Sequence, residues 1–395
     1  MSNDYIFNSE SVTAGHPDKV CDQVSDAIVD HFLMQDPHAH VVAESAVSSG
    51  VMFISTHFAS QAVLDITEVA RSVVRDIGYP QHVFDADACS VMTSYTDHTA
   101  TEYQVLDFAR LDDEYIDRLP SRQQLSVTGY ACDQTVDLMP LPIWLAHRLA
   151  GRLDVEKVRK KLPYLLPDGK VQVAVEYKEG RASRIHGINL VVSQTDLEAA
   201  DIARLHADLG KQVIEPVLKD VDCPLDADTL VSVNPEGQLI GGGPAAHSGL
   251  TGRKTGMDTY GEYSRHSGVA LSGKGPFRIE RVGAYAARHA AKNVVAAGLA
   301  SECEVQLSYA VGSAAPVSVR VRCFGTGTIP DAEIVARLRA VFDFRLAALV
   351  RDLELTTLPA AHPEGFYRRL AVYGQMGRSD LDVPWERTGK AAALK

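Results

Sequence analysis

Residues 13–37 read TAGHPDKVCDQVSDAIVDHFLMQDP, and this stretch predicts the first long helix of the chain. Pro17 is a residue type favoured at the first position of a helix, and it follows Gly15 and His16. Asp18, Asp22 and Asp26 are spaced four residues apart, so one face of the helix is acidic. Pro37 ends the segment. The apolar positions that follow helical spacing are Val20, Val24, Ala27, Ile28 and Phe32.

Beyond this helix, pairs of strands alternate with helices about three times. Residues 41–58 predict two strands that turn at Ser48-Ser49-Gly50, and residues 171–192 predict a hairpin that turns at 178–181. We expect residues 249–275 to be mostly loop. We expect residues 97–127 to form a mobile or inserted segment that is partly helical at 105–119. The pattern predicts an α+β fold with mostly antiparallel sheets, each covered by helices on one face. Further helices are predicted at 66–77, 196–218, 281–299 and 331–353, and strands at 305–309 and 317–324.

Composition excludes several classes of protein. The 395 residues carry a formal net charge of −12 and no basic tail, which argues against a nucleic-acid partner. The six cysteines form no CxxC pair, and scattered thiols of this kind fit a reducing compartment. No apolar stretch reaches the ~20 residues that span a bilayer, and the start does not resemble a secretory signal. We therefore expect a cytoplasmic protein with no membrane partner.

Three glycine-containing segments are candidates for phosphate binding. GHPDK at 15–19 starts a helix, where free N–H groups bind anions and Asp18 could share a metal ion with a phosphate. SGLTGRKTG at 248–256 places Arg253 and Lys254 between glycines, which suits a polyphosphate. The alternative without a ligand is a capped helix for residues 15–19 and a solvated turn for residues 248–256. GVALSGKG at 268–275 resembles a P-loop, but Gly275 replaces the Ser or Thr that binds Mg²⁺, so we reject that assignment.

Taken together, these strings resemble the S-adenosylmethionine synthetase family from about residue 5 to residue 390. The shared motifs are GHPDK, GLTGRK, DTYG, SGK followed by AYAARHAAKNVVAAGLA, and a late VPWE, and they occur in the family's order. The resemblance implies three similarly built α+β domains made of interleaved segments, expected at 4–103, 119–239 and 240–390. It also implies a homodimer, or a dimer of dimers, with active sites between subunits.

The resemblance further implies a reaction in which methionine sulfur attacks C5′ of ATP and expels triphosphate, which is then cut to phosphate and diphosphate. By match to the family motifs, His16, Lys170, Lys254 and Lys274 are the expected catalytic residues. Asp18 and Glu280 are the expected Mg²⁺ ligands, and Glu44 is the expected K⁺ ligand. The residues expected to contact ATP are His16, Asp168, Lys170, Arg253, Lys254, Ala270, Lys274 and Arg278.

The chain departs from the family where methionine's amino-acid end would bind. His57, His98 and His247 align with a Glu, a Gln and an Asp of the family, Gln123 replaces an Asp, and Arg278 replaces a Lys. An imidazole cannot pair with an ammonium as a carboxylate does. We therefore expect these five residues to bind a small methionine-like thioether whose amino-acid end is altered. The alternatives are an ordinary synthetase using L-methionine, an enzyme that cleaves ATP or triphosphate without adenosyl transfer, and a non-catalytic nucleotide-binding subunit.

Overall fold

A computed structural model describes residues 4–196, 199–219, 221–223 and 225–395. The strands are β1 (Tyr5–Val12), β2 (His40–Ser48), β3 (Val51–Ala59), β4 (Ser90–Asp97), β5 (Leu125–Cys132), β6 (Leu165–Lys178), β7 (Arg181–Gln194), β8 (Leu230–Val233), β9 (Leu239–Ile240), β10 (Gly249–Leu250), β11 (Glu302–Tyr309) and β12 (Ser318–Arg322).

The longer helices are α1 (Pro17–Gln35), α2 (Ile66–Ile77), α5 (Leu141–Asp154), α7 (Ala199–Leu209), α10 (Ile279–Ala296) and α11 (Asp331–Val341). The shorter ones are α3 (Thr99–Glu102), α4 (Asp113–Asp117), α6 (Glu156–Lys161), α8 (Glu215–Leu218), α9 (Thr255–Asp258), α12 (Leu346–Asp352), α13 (Leu358–Ala361) and α14 (Tyr367–Leu370). A π-helical turn, Gly210–Ile214, joins α7 to α8. Single 3₁₀ turns occur at Phe108–Arg110, Gly243–Ala245, Ser379–Leu381, Pro384–Glu386 and Ala391–Leu394.

Three sheets organise the described residues, and each recruits a strand from a distant part of the chain. Their strand orders are β1-β6-β7-β8 with β9 beside β7, β10-β2-β3-β4, and β12-β11-β5. Most neighbours are antiparallel, but β4 runs parallel to β3, and β8 and β9 run parallel to β7. This arrangement confirms the α+β fold with mixed and antiparallel sheets. It also shows the interleaving of segments that the resemblance implies.

Helix α1 packs through its apolar stripe, as predicted from the spacing of its residues. Val20, Val24, Ile28 and Phe32 are each at most 2% exposed, and the helix contacts β2, α2 and α14. The strand pair at 41–58, helix α2 with its end at Gly78 and the hairpin at 171–192 are also confirmed. The partial helix predicted at 105–119 is confirmed by the 3₁₀ turn at Phe108–Arg110 and by α4.

The single helix predicted at 331–353 is wrong, because α11 ends at Val341 and α12 begins at Leu346. Phe342 and Phe344 are both buried, and their rings stack with centroids 5.7 Å apart. Two residues apart on a helix they would point about 200° away from each other, so the chain must leave the helix to bury both.

The helix predicted at 196–218 is described from Ala199, and residues 197–198 lie outside the described part. Within the described ranges, no helix is both long enough and apolar enough to cross a membrane.

Candidate active site

The start of α1 fixes the first two predicted site residues. His16 is the N-cap, and its Nδ1 accepts a hydrogen bond from the Asp18 N–H at 3.2 Å. The Asp18 carboxylate is buried, and its Oδ1 accepts from the backbone N–H of Leu250 at 3.0 Å. The GHPDK and GLTGRK motifs therefore meet directly, although more than 200 residues separate them in sequence.

The acidic face of α1 holds two glycine-rich loops in place. Asp18 accepts from Leu250, Asp22 accepts from the N–H of Gly252 at 2.7 Å, and Asp26 accepts from the N–H of Gly273 at 2.7 Å. Eight residues of helix separate the first and last carboxylates by about 12 Å. The sequence revealed this face through its four-residue spacing, but not that it binds the loops.

A group of side chains that we call the phosphate cluster surrounds the start of α1. Two cations approach Asp18: Lys254 Nζ lies 3.3 Å from Oδ2, and Arg253 lies 3.5 Å from Oδ1. Asp168 Oδ2 accepts from the N–H of Gly243 at 2.8 Å and lies 2.9 Å from His247 Nε2. The cluster consists of His16, Asp18, Asp168, His247, Arg253 and Lys254.

The two histidines of the phosphate cluster differ in charge behaviour. Burial lowers the pKa of His16 to about 4, outweighing the attraction of Asp168 and Asp18. The hydrogen bond to Asp168 raises the pKa of His247. The rings lie 4.9 Å apart, edge to face. At neutral pH His16 is thus a neutral hydrogen-bonding group, and Lys254 and Arg253 supply the positive charge.

Two further predicted ATP contacts border the phosphate cluster. Lys170 pairs with Glu10, and Glu10 lines a cavity of about 290 Å³ together with Arg253 and Lys254. Gly252 has φ +78°, and a methyl group on it would overlap the side chain of Ala270. The glycine therefore lets the Arg253 loop pack closely against Ala270.

A separate cavity of about 560 Å³, which we call the histidine pocket, contains most of the predicted substrate-binding residues. His57 on β3 and His98 after β4 stack with ring centroids 6.0 Å apart. Gln123 Oε1 accepts from the N–H of Ile279 at 2.7 Å, which places it at the start of α10. Arg278 also lines the pocket. His57 and His98 meet, but His247 belongs to the phosphate cluster, so the three histidines do not form one site within a chain.

Ion pairs border the histidine pocket. Lys274 Nζ lies 2.5 Å from Glu44 Oε1, and this hydrogen bond is the main cause of the lowered pKa of Glu44. Arg278 lies 3.1 Å from Glu280 Oε1. Lys274 therefore pairs with Glu44 on β2, whereas His16 and Lys254 lie at the start of α1. Within one chain, the predicted phosphate-binding cations are divided between two places.

The predicted metal ligands differ in how well they fit a cation. Glu280 Oε2 is buried and has no hydrogen-bond partner in the described structure, which suits a ligand of Mg²⁺. Asp18 is buried beside the cations that would face a phosphate. The Glu44 carboxylate already holds the Lys274 ammonium, so Glu44 alone does not make a K⁺ site.

Comparisons with known proteins cover the whole chain. Residues 4–100, 118–239 and 241–387 match the N-terminal, central and C-terminal domains of S-adenosylmethionine synthetase. A relative from Gloeobacter violaceus is 46% identical over 99% of this chain and 97% of its own, and one from Synechococcus sp. (strain JA-2-3B'a(2-13)) is 44% identical with the same coverage. Both are named S-adenosylmethionine synthase. The chain thus belongs to the S-adenosylmethionine synthetase family and is a transferase of the methionine adenosyltransferase type.

Proposed function

We propose that the chain forms S-adenosylmethionine from ATP and L-methionine, releasing phosphate and diphosphate. The phosphate cluster carries this proposal, because it gathers Lys254, Arg253 and His16 around a buried carboxylate at a helix start. The names of the relatives support L-methionine, which was the alternative in the sequence analysis. They give no support to the altered nucleophile that the sequence analysis preferred.

The chemistry demands little more than positioning and charge stabilisation. A thioether sulfur has no proton to lose, so no general base is needed, and the site must align the sulfur with C5′ of ATP. Negative charge then builds on the departing triphosphate, and preorganised cations and N–H donors stabilise it. Lys254 and Arg253 supply charge, and neutral His16 supplies a hydrogen bond to a phosphate oxygen. The other proposed ATP contacts are Asp168, Lys170, Ala270, Lys274 and Arg278.

We propose Asp18 and Glu280 as Mg²⁺ ligands and Glu44 as one of several K⁺ ligands, since its carboxylate also pairs with Lys274. Bound Mg²⁺ neutralises charge on phosphate oxygens. Asp18 lies at the start of α1 and accepts from Leu250, whereas Glu280 lies at the start of α10 beside Arg278. Removal of divalent cations should abolish triphosphate release. Activity that persists in a chelator would contradict the Mg²⁺ assignment.

We also propose a homodimer, or a dimer of dimers, with the active site completed between subunits. An apolar row crosses the outward face of the second sheet, formed by Leu250, Ala46, Phe53 and Met92, and three of these side chains are 45–59% exposed. His57 lies on the same face of β3 as Phe53. A second copy packed there would cover the row and face the pocket. Light scattering tests this, and a monomer at working concentration would contradict it.

A specific observation keeps a second candidate open. His57 and His98 line the pocket in which the amino-acid end would lie, where the family's carboxylates and amide are expected. This arrangement favours a methionine-like thioether without an α-ammonium group, or with an added acidic group.

One assay separates these candidates. Full-length protein is incubated with ATP, Mg²⁺ and K⁺ and either L-methionine, its deaminated analogue or an acidic analogue, and sulfonium products, phosphate and diphosphate are measured. We expect efficient turnover of L-methionine. Faster turnover of an analogue would favour the second candidate. Phosphate release without a sulfonium would indicate simple ATP or triphosphate cleavage, and no ATP consumption with any of the three compounds would indicate a binding subunit.

We also propose that the activity is located in the cytoplasm, and the six buried free thiols support this proposal.

A further inference from the structure

Three side chains of the phosphate cluster form a group with the composition of a transition-metal site. His16, Asp168 and His247 each offer one ligand atom, and these atoms all lie within 4.8 Å of one another. Two imidazoles and one carboxylate are ligands that Zn²⁺ and its neighbours in the first row accept readily. His247 stands where the family has an Asp, so the second imidazole is a feature of this chain.

We propose that His16, Asp168 and His247 bind one late first-row transition-metal ion, Zn²⁺ or Co²⁺, at a site beside the proposed Mg²⁺ ligand Asp18. Three protein ligands leave a fourth position for water or an anion oxygen, as in open zinc sites. The proposal rests on the short distances between the three ligand atoms and on their types, two imidazole nitrogens and one carboxylate oxygen.

The geometry is close to what such an ion requires. Metal–nitrogen and metal–oxygen bonds of about 2.0–2.2 Å place neighbouring tetrahedral ligands roughly 3.4 Å apart. His247 Nε2 and Asp168 Oδ2 are 2.9 Å apart, so they need to separate slightly. The widest spacing must shrink by up to about 1.4 Å, and the His247 side chain, which is 44% exposed, has room to rotate.

Neighbouring groups form hydrogen bonds with the proposed ligands, as they do in known metal sites. The N–H of Gly243 donates to Asp168 and fixes the carboxylate. His16 Nδ1 accepts from the N–H of Asp18, so an ion that binds either ring nitrogen replaces this helix-cap bond, and the ring proton then sits on the other nitrogen.

Nitrogen ligands also decide which ion binds. Mg²⁺ prefers an all-oxygen shell and keeps its waters, so it should not compete well for two imidazoles. Lys254 lies close to the three proposed ligands and its charge opposes any cation, while Asp18 offsets part of that charge. Because His16 and Asp168 are also proposed ATP contacts, the ion should compete with ATP. That consequence rests on the proposed function, but the binding itself does not.

The test is a direct titration of full-length, chelator-treated protein without ATP and with excess Mg²⁺. Co²⁺ binding is followed by its visible absorption, and Zn²⁺ binding by calorimetry and by displacement of Co²⁺. We expect one ion per chain. His247→Ala should weaken binding at least about 100-fold, since losing a ligand costs more than losing an outer-shell partner. His82→Ala, at an exposed histidine outside the cluster, is the matched control and should bind as the original chain does.

His247→Asp guards against loss of folding in the alanine variant, since it keeps a possible ligand but removes the nitrogen. It should lower the intensity of the Co²⁺ spectrum and the affinity for Zn²⁺. Absence of stoichiometric binding in the original chain would overturn the proposal, as would equal binding by the original chain and both His247 variants. Because no ATP is present, either result leaves the adenosyl-transfer proposal to its own assay.

Discussion

The phosphate cluster and the histidine pocket are two halves of one proposed site, but they are built differently. In the phosphate cluster, Asp18 and Asp168 are buried and bound by backbone N–H groups of other segments. The histidine pocket is a larger cavity bordered by ion pairs such as Lys274–Glu44, in which Glu44 is 60% exposed. This difference indicates that the phosphate cluster is held rigidly, because the triphosphate leaving group that it would bind is always the same. The residues of the histidine pocket, where the nucleophile would bind, are less constrained in sequence.

The largest effect should come from the phosphate cluster. Lys254→Ala removes a cation that faces the proposed triphosphate, and loss of one such preorganised group lowers kcat by roughly 10²–10³-fold. Steady-state kinetics of sulfonium formation measures this. Lys160→Ala, on an exposed ion pair of α6, is the control and should retain normal kcat. A kcat for Lys254→Ala within a few-fold of that of the original chain would contradict the role of the phosphate cluster in stabilising the leaving triphosphate.

An intermediate effect is expected from the loop that carries Lys254. In Gly249→Ala the added methyl would overlap the carbonyl oxygen of Pro17, at the start of α1. Overpacking of this kind costs about 1–3 kcal/mol of unfolding free energy. Denaturant unfolding measures the loss. Gly50→Ala is the matched control, because nothing lies within 4 Å of a methyl group there. Equal stability of the two variants would show that the loop is not tightly held.

The smallest effect should come from the histidine pocket. His57→Ala removes one polar contact to the nucleophile, worth about 1 kcal/mol, so KM for the nucleophile should rise roughly five- to tenfold with kcat little changed. Kinetics with varied nucleophile at saturating ATP separates the two constants. His82→Ala should leave both unchanged. A large fall in kcat with unchanged KM would mean that the pocket takes part in the chemical step, and the contrast between the halves would fail.

The fold was largely predictable because local patterns determine it. Apolar spacing identified α1, and Gly78 marked the end of α2. The break between Phe342 and Phe344 was missed because it depends on where two rings can be buried together, which spacing does not show. The site was predictable only in part. Motif resemblance named the residues, but no spacing could reveal that His247 lies beside His16 rather than beside His57.

The spacing of Asp18, Asp22 and Asp26 makes the length of α1 a constraint on the whole site. Each inserted residue would turn everything after it by about 100° and advance it by about 1.5 Å. Asp26 would then face away from Gly273, although Asp18 would keep its bond to Leu250. Insertions and deletions within this helix should therefore be far less tolerated than changes in the loops it holds, and pocket redesign should leave its register intact.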